Sequence, residues 1–471
     1  MVGIMKNKKF FAVVVLMAVT ALGYARRISG CVESGKKVLK EVLVTDGYSI
    51  TPTDNNGQYS LEANDSAEFV YIVTPKGYTA DFSSGVPQFY LRLEPSKSTY
   101  DFNLKPLGGN PDNFTMITMA DTQIDSPEDI QRLNKESLPD ILHTISEYKD
   151  TPAAGIILGD ITWDRYAMNE DIKDFNKKLA IPVYPVIGNH DFDKYMNPCK
   201  ECDFAHIYKE NFGPLYYAFQ MGNVFYIVLS DIVYHGHKQF DTSLETANQM
   251  RWLELLLTVL QQDKTVVIAM HAPLKYTTEA PLIPGGEQLV KMLVNKFHAH
   301  FITGHLHTNA NTEIGGGIIE HNLGAVCGTW WTCDYCRDGA PNGYQVFQGY
   351  GDNLSWYYKS TGKDRKFQMT LYPQGSIMDR PNAVVAKVWN WDDAWKVQWY
   401  EDDKFMGAMS QFYSYDPEYL KYLNGRRAVE DYDPPRTLHF FSAVPSLQAK
   451  EVKVEVVDRF GNVFTEKVNC K

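Results

Sequence analysis

Three patterns of apolar and polar positions follow one another along the chain. From about Arg27 to Leu104 the two kinds alternate, as in “VLVTDGYSITPTDNNGQY”, where “DG” and “NNG” are turn signals. This alternation is typical of short strands with one buried face. We therefore expect a small β-sandwich of immunoglobulin-like size over residues 26–105.

The middle of the chain, residues 113–365, changes to apolar runs that are separated by helical patterns. The runs are “FTMITMAD”, “AAGIILGD”, “PVYPVIGNHD”, “NVFYIVLSD”, “TVVIAMHAP” and “AHFITGH”. One helical pattern, over residues 126–148, begins with Ser-Pro-Glu, which is a typical helix start. Apolar strands that alternate with helices predict a buried, mostly parallel sheet in an α/β domain.

From about Lys366 the alternation of apolar and polar residues returns. It is clear in “KEVKVEVVDRFGNVFTEKV”, and it predicts a second β-sandwich over residues 366–471. The Pro, Gly and Asn residues of “PLGGNPDN” predict a linker between the first two regions. The sequence thus predicts two all-β domains on either side of one α/β domain.

The first 25 residues have the layout of a secretory signal. “MKNKK” supplies positive charge, “FFAVVVLMAVTAL” is an apolar segment too short to span a bilayer, and “GYA” offers small residues before Arg26. We predict an exported protein, periplasmic or extracellular, without a transmembrane span. Arg26 and Arg27 separate the apolar segment from Cys31, which argues against a lipid anchor at this cysteine.

The composition is that of a soluble globular protein, with 44% hydrophobic and 22% charged residues. The formal net charge of −11 argues against a nucleic-acid duplex as the main partner, because phosphate backbones favour basic proteins. A small phosphorylated substrate stays compatible with this charge, since a bound metal can reverse the local field.

Seven cysteines include two CxxC pairs, Cys199 with Cys202 and Cys333 with Cys336. In the cytosol such pairs indicate a structural zinc site, whereas in an oxidising compartment they indicate disulfides. The spacing alone leaves both interpretations open.

Five of the apolar runs end in polar residues of the metal-ligand type. In an open α/β sheet, binding sites form outside the carboxyl ends of the strands, so we expect these side chains to face one crevice. Carboxylate, imidazole and amide groups together suit manganese, iron or zinc, and there are enough for two ions that share one carboxylate. Such a centre favours phosphoester hydrolysis. The residues are Asp121, Gln123, Asp160, Asn189, His190, Asp191, His271, His305 and His307.

The order of these motifs, D-x-[HQ], GD, GNH[DE], H and GHxH, resembles the signature of the calcineurin-like metallophosphoesterases over residues 114 to about 330. “VLVTDGYSITPTDNNGQY” and “VEVVDRFGNVFTEKV” also resemble the N- and C-terminal β domains found with such phosphoesterases in exported bacterial proteins. The resemblance implies a four-layer α/β metallophosphoesterase sandwich flanked by two all-β domains. It also implies a dinuclear centre in which a metal-bridging hydroxide attacks the phosphoester.

The resemblance assigns roles to the polar residues. It places Asp160 between the two ions, and it keeps His190 off the metals, near the leaving-group oxygen. Gln123 stands where most members have histidine, and a neutral amide moves the expected preference towards manganese or magnesium. Asp164 in “GDITWDR” lies one residue further on than in GDxxDRG members, which leaves open its role in orienting His190. The implied ligands are Asp121, Gln123 and His307 for the first ion and Asn189, His271 and His305 for the second.

Two further groups are candidates for contact with the substrate. His235 and His237 in “VYHGHK” could touch a substrate phosphate, although a solvated loop explains them as well. Trp331, with Trp330 and Tyr335, could stack on a substrate ring, or the three side chains could pack against the C-terminal domain.

The resemblance also bears on the cysteines. In the resembling fold, the loops after “GNHD” and after residue 324 both lie near the crevice. If the chain is exported, we therefore expect Cys333 and Cys336 to be oxidised, either with each other or with the Cys199–Cys202 pair.

The sequence therefore predicts dinuclear metal-dependent hydrolysis of a phosphomonoester or phosphodiester on a phosphorylated small molecule, glycan or lipid. The alternative is a surface glycan- or lipid-binding protein with secondary phosphoesterase activity. A binding module needs no ordered set of metal ligands, and this chain keeps one. No oligomeric state is predicted.

Overall fold

The computed structural model describes residues 26–199, 202–277, 279–425 and 434–470. The predicted secretory signal, residues 1–25, lies outside these ranges. Within them, no helix is both long enough and apolar enough to cross a bilayer.

Ten short strands make up the N-terminal region. They are β1 (Arg26–Ser34), β2 (Lys37–Val38), β3 (Leu43–Thr45), β4 (Ile50–Pro52), β5 (Gln58–Ala63), β6 (Phe69–Ile72), β7 (Tyr78–Thr79), β8 (Tyr90–Arg92), β9 (Phe102–Asn103) and β10 (Lys105–Pro106). β1 lies between β2 and β5 and also pairs with β9, while a second sheet has the order β4-β3-β6-β8. Every second residue of β5 is buried, as the alternating sequence predicted. Trp252 of the middle region donates its indole N–H to Thr45 Oγ1 over 3.2 Å, so the two regions pack directly together.

Thirteen strands form the sheets of the middle region. They are β11 (Asn113–Met119), β12 (Ala153–Leu158), β13 (Val183–Val186), β14 (Tyr217–Met221), β15 (Val224–Val228), β16 (Ile232–Gly236), β17 (Gln239–Thr242), β18 (Thr265–Ala269), β19 (His298–Thr303), β20 (Ala310–Gly315), β21 (Ile318–Asn322), β22 (Gly343–Tyr350) and β23 (Asn353–Ser360). The first large sheet has the order β13-β12-β11-β22-β23 and the second β14-β15-β18-β19-β21-β20, with the central strands parallel. Among the described strands, β16 and β17 pair only with each other, as a separate hairpin. Met116 of the first sheet and Tyr226 of the second belong to one buried cluster, so the sheets pack face to face.

Helices cover the outer face of each of these sheets. They are α1 (Pro127–Arg132), α2 (Leu138–Glu147), α3 (Asn169–Leu179), α4 (His206–Phe212), α5 (Ala247–Val259) and α6 (Gly286–Leu293), while α7 (Pro417–Gly425) lies in the C-terminal region. α2 and α3 bury their apolar faces against the first sheet, and α5 and α6 against the second. The middle region is therefore a four-layer α/β sandwich, as expected.

The predicted start of the first helix is confirmed. The Ser126 side chain accepts a hydrogen bond from the Asp129 backbone N–H, and the Asp129 carboxylate accepts one from Ser126 N in return. A π-helical turn, Leu133–Ser137, separates α1 from α2. The turn ends two residues before Pro139, which has no N–H to donate to the preceding turn of the helix.

Eight strands form two four-stranded sheets in the C-terminal region. They are β24 (Met369–Tyr372), β25 (Val384–Val388), β26 (Lys396–Glu401), β27 (Lys404–Ala408), β28 (Ser410–Ser414), β29 (Thr437–Ala443), β30 (Glu451–Val457) and β31 (Val463–Asn469). The orders are β24-β25-β29-β28 and β27-β26-β30-β31. Val384 and Val454, one from each sheet, lie in the same buried cluster. The sequence had not predicted α7, which interrupts this all-β region.

The cysteines differ from expectation in one pair. Cys199 and Cys202 form a disulfide. Cys333 and Cys336 are free thiols, so the expectation that they are oxidised is wrong for this structure. The two sulfur atoms lie against different backbone carbonyls, Cys333 Sγ at 3.6 Å from Tyr335 O and Cys336 Sγ at 3.7 Å from Ala325 O.

Candidate metal centre

The polar residues predicted as metal ligands lie where the central strands of both sheets end. Asp121 follows β11, Asp160 follows β12, His271 follows β18 and His305 follows β19. Parallel strands end at one edge of a sheet, and the two sheets face each other, so these side chains meet.

The closest meeting point is the Nε2 atom of His271, which is fully buried. It lies 3.0 Å from Asn189 Oδ1, 3.1 Å from His305 Nδ1 and 3.3 Å from Asp160 Oδ1. Asp160, His271 and His305 offer ligand atoms that all lie within 4.8 Å of one another. The structure thus brings together the residues expected to hold the second ion and the shared carboxylate.

Two histidines of the centre have a ring nitrogen bound to a backbone carbonyl. His271 Nδ1 lies 2.8 Å from Leu158 O, and His307 Nδ1 lies 2.9 Å from Gly328 O. A carbonyl only accepts, so each Nδ1 carries a proton, and Nε2 is the ring nitrogen left to bind an ion. A divalent ion would displace any proton on Nε2, and the nitrogen and oxygen lone pairs around it would then converge on that ion. The donor set therefore fits a divalent metal ion.

The protonation of the cluster also suits a cation. Burial raises the pKa of Asp160, but the charges of His271 and His190 outweigh this and hold it well below its usual range. Burial lowers the pKa of His271, but the Asp160 charge and hydrogen bond outweigh this and raise it to about 10. Burial and the charge of His271 lower the pKa of His305 to about 4. The ionised Asp160 and the neutral His305 are in the forms that bind metals, and a bound ion would displace the second ring proton of His271.

The residues expected to hold the first ion lie on the other side of Asp160. His307 Nε2 is 3.5 Å from Asp121 Oδ1, and both side chains are buried. Gln123 Nε2 donates to Asp160 Oδ2 over 3.0 Å, which leaves Gln123 Oε1 at 3.8 Å from the thiol of Cys327. An amide binds metal through oxygen, so Gln123 would have to turn its amide over to act as a ligand.

The backbone at the centre is strained at several of these residues. A non-glycine residue in the left-handed region costs free energy of order 1–3 kcal/mol, and such residues cluster at functional sites. Positive φ angles occur at Asp121 (52°), Gln123 (38°), Asp160 (48°), His305 (67°) and His307 (52°).

Two glycines allow the motif loops to approach one another. A Cβ atom on Gly188 would collide with Asp160, and one on Gly304 would collide with Asp121. The glycines of “GNHD” and “TGHLH” are therefore required by the close contact between the loops.

His190 lies beside the cluster and is oriented by Asp164. Its Nδ1 is 3.0 Å from Asp164 Oδ1, and its ring stacks on Trp163 with 4.3 Å between centroids. Burial lowers the pKa of His190, but Asp160 and Asp164 outweigh this and raise it. The extra residue in “GDITWDR” does not prevent this contact, because Asp164 takes a left-handed φ of 54°.

Sequence reasoning had assigned no role to Asp231. This buried residue accepts backbone N–H bonds from His271, over 3.2 Å, and from Ala272, over 2.8 Å. Burial raises its pKa to about 7. The apolar run “NVFYIVLSD” ends in this aspartate, just as the neighbouring runs end in predicted ligands. That shared position could have identified Asp231 from the sequence.

Two of the three residues predicted to contact substrate, His235 and Trp331, are held by other partners in the protein. His235 Nε2 is 2.8 Å from Asp241 Oδ2 on the same β16–β17 hairpin, and His237 is exposed. Trp331 is only 7% exposed, and its indole N–H donates to Thr122 O over 2.9 Å. Its burial fits packing rather than substrate stacking.

Other aromatic rings stand next to the predicted ligands. Trp330 lies 5.1 Å from the ring of His307 and 5.7 Å from that of Trp163, between centroids. Phe240 of the β16–β17 hairpin and Tyr276 each lie 6.0 Å from the ring of His305. These rings flank the cluster on two sides.

Side chains of the C-terminal region bind a loop of the middle region that contacts His307. We call residues 334–342 the clamp loop. Arg337 N of this loop donates to His307 O over 2.8 Å. The ammonium of Lys387, 1% exposed, bonds Asp338 O and lies 3.0 Å from Asp416 Oδ2, while His439 Nδ1 lies 3.6 Å from Asp338 Oδ2.

Three family models match consecutive parts of the chain. The N terminal of calcineurin-like phosphoesterase matches residues 26–107, and calcineurin-like phosphoesterase itself matches residues 115–309. The C terminal of calcineurin-like phosphoesterase matches residues 320–464. Together the matches cover most of the chain.

Similar solved structures include a dimetal phosphatase from Danio rerio, 16% identical, with 52% of this chain and 96% of that chain covered and a TM-score of 0.38. A purple acid phosphatase from yellow lupin seeds is 12% identical over 66% of this chain and 56% of that chain, with a TM-score of 0.39. A 5'-nucleotidase from Candida albicans is 11% identical over 52% and 50%, with a TM-score of 0.33.

No curated protein matches the chain. The structural likenesses are weak at these scores, so the family assignment rests on the three family models. The chain belongs to the calcineurin-like phosphoesterases, with the N- and C-terminal domains of that family on either side of its core, and it is a metal-dependent phosphoester hydrolase.

Proposed function

We propose that the centre binds two divalent ions and that Asp160 is shared between them. The observation that carries this is the convergence of Asn189, His271 and His305 ligand atoms beside the Asp160 carboxylate. Asp121 and His307 would hold the other ion, with Gln123 Oε1 after its amide turns. When bound, the ions would offset phosphate charge and lower the pKa of the attacking water.

His190 is proposed as the proton donor to the leaving group. Asp164 binds its Nδ1, so the other ring nitrogen is free to face the leaving oxygen. The raised pKa favours the protonated ring, and Trp163 fixes the ring plane. General acid catalysis of this kind is worth about 10²–10⁴-fold.

Two substrates with different leaving groups test the role of His190. His190→Ala should keep its bound metal and lose about 10²-fold or more on an alkyl phosphoester, which needs the proton, but much less on a nitrophenyl ester. Metal content and turnover of both esters are measured with added manganese. Equal losses on both esters would assign His190 to phosphate binding, and loss of metal would make it a ligand.

The finer features of the function are proposals too. Gln123 supports manganese or magnesium at the first site, since an amide oxygen is a harder ligand than imidazole. The Cys199–Cys202 disulfide supports export, because oxidised cysteines persist outside the cytosol. Turnover of a panel of phosphate monoesters and diesters with each metal would identify the ester class. The ordered cluster favours an enzyme over a surface-binding protein.

A further inference from the structure

Asp164 is contacted by three cationic groups rather than one. Its Oδ1 faces His190, while its Oδ2 lies 2.7 Å from Lys194 Nζ and 3.1 Å from Lys238 Nζ. Lys194 comes from the loop after “GNHD”, and Lys238 comes from the turn of the β16–β17 hairpin. One carboxylate balances one positive charge, so the two ammonium groups together carry one charge more than Asp164 does.

Among the described residues, the other carboxylates on these two segments, Asp193 and Asp241, form no ion pair with either lysine. Asp193 Oδ2 lies 3.8 Å from His206 Nε2, and Asp241 Oδ2 lies 2.8 Å from His235 Nε2. Each ammonium carries three N–H donors, and a bond to Asp164 uses one. The side chain of Lys194 is 16% exposed, so its charge is only partly screened by water.

His190 stands between the metal cluster and the two lysines. Its backbone N–H bonds Asp160 Oδ1 over 2.9 Å, while its ring Nδ1 faces Asp164. In the proposed function, the phosphorus sits at the cluster and the leaving oxygen sits at His190. A leaving group long enough to pass the His190 ring would bring its far end to Lys194 and Lys238, which lie with Asp164 on the Nδ1 side of that ring.

We infer that Lys194 and Lys238 form an anion subsite that selects a leaving group with a second anionic group, a carboxylate or a further phosphate. This inference rests on the proposed function for the direction in which the leaving group points. The lysines act as specificity residues, and the hairpin that carries Lys238 brings half of the subsite to the centre.

A pair of esters that differ only in the charge of the leaving group tests the selection. The esters are 3-carboxyphenyl phosphate and the same phosphate with its carboxylate methylated. The variants are Lys194→Gln, Lys238→Gln and the double variant. The ratio of kcat/KM for the charged over the neutral ester should fall about three- to tenfold per lysine. Lys467→Gln is the matched control, because Lys467 is 47% exposed and lies 2.6 Å from Glu451 in the C-terminal region.

Lys238→Arg should keep the wild-type ratio of kcat/KM for the two esters, unlike Lys238→Gln, because the subsite requires the positive charge rather than the exact length of the lysine side chain. An equal fall on both esters, with the ratio unchanged, would assign the lysines to the positioning of Asp164 and would overturn the subsite.

A binding experiment separates this inference from the proposed function. 1,4-Phenylenediphosphonate carries a second anionic group that phenylphosphonate lacks, on the far side of a rigid ring, and calorimetry with the manganese-loaded full chain gives both affinities. The wild type should prefer the diphosphonate, and the double variant should lose that preference. This result would support the subsite even if neither ester is hydrolysed. A failure to hydrolyse both esters would contradict only the proposed function. The same preference in both proteins would overturn the subsite.

Discussion

The Asp160 carboxylate lies between the residues expected to hold the two ions. Gln123 Nε2 and His190 N both donate to its carboxylate, and His271 Nε2 lies beside it. An asparagine at this position would turn an N–H towards these donors and would remove the charge that offsets the ions.

Asp160→Asn is therefore expected to lower bound metal below two ions per chain and to reduce turnover by about 10³-fold or more. Metal analysis and aryl phosphate kinetics measure both. Asp174→Asn, on the exposed side of α3, is the control with an intact centre. Two bound ions with full activity in Asp160→Asn would contradict the shared role.

A buried carboxyl below the His271 loop predicts a dependence of stability on pH. Glu320 Oε1 accepts the N–H of Leu274 over 2.6 Å, and burial raises the pKa of Glu320 to about 8 from 4.5. Between these values, unfolding releases a proton, so this group makes stability fall as the pH rises from about 5 to about 8.

Glu320→Gln cannot titrate, so its stability should lack that part of the fall. Urea unfolding of both proteins at pH 5 and pH 7.5, with a chelator present, should show the wild type losing up to about 1.4 kcal/mol more per pH unit. Parallel stability profiles would mean that Glu320 ionises without cost in the folded protein.

Most of the single residues whose location was predictable here end an apolar run, although Asp231 ends one too and was missed. Asp121, Asp160 and His271 follow buried strands, so the edge of a sheet defines their location. Lys194 and Lys238 lie in irregular segments with no period, and only the fold brings them to one carboxylate. The orientation of Gln123 also depends on Asp160, which sequence spacing does not encode.

Among the secondary-structure elements, the β16–β17 hairpin reaches the centre without supplying a predicted ligand. It brings Phe240 to His305 and Lys238 to Asp164, and it rests on Phe192, whose ring stacks on Tyr234 with 5.0 Å between centroids. The hairpin is therefore placed to act on substrate rather than on metal.

Replacement of residues 233–241 by Asn-Gly, a two-residue hairpin turn, tests that role. The variant should bind as much metal as the wild type, while kcat/KM falls about tenfold or more because substrate contacts are lost. Metal analysis and kinetics are read together with thermal unfolding, since the lost stacking costs stability. A loss of metal would show that the hairpin supports the ligands themselves.

The elements themselves were largely predictable from periodicity. Alternating residues in β5 and the capped start of α1 both appear as expected. The short helix α7 was not predicted, because it lies within a region whose strands dominate the pattern. The π-helical turn before Pro139 depends on one missing donor, and a 3.6-residue period does not reveal it.

For the whole molecule, the buried pair of Lys387 and Asp416 ties the C-terminal region to the clamp loop. Both side chains are 1% exposed, and the ammonium also bonds Asp338 O. Removing one partner of a buried pair leaves the other charge uncompensated, at a cost of about 3–5 kcal/mol.

Lys387→Met should lower the free energy of unfolding by about that amount, and Lys387→Met with Asp416→Asn should recover part of it. Urea unfolding measures both variants, with Lys467→Gln as the exposed-lysine control. If the single variant were as stable as the wild type, the pair would not hold the clamp loop.

The order of three regions was predictable because each has its own pattern, but the contacts between regions were not. Thr45 with Trp252, and Lys387 with Asp338, join residues far apart in sequence that carry no pairing signal. Such contacts follow from the packing of complete domains.

The clamp loop has a consequence for the order in which the protein matures on the ribosome. His307 is synthesised long before Lys387, Asp416 and His439, whose side chains hold the loop that supports it. Domains emerge and fold from the N-terminus onwards. A nascent chain that has just passed β23 therefore contains every predicted ligand but lacks the side chains that hold the clamp loop in place. We therefore expect the centre to reach its final geometry only after β29 has emerged.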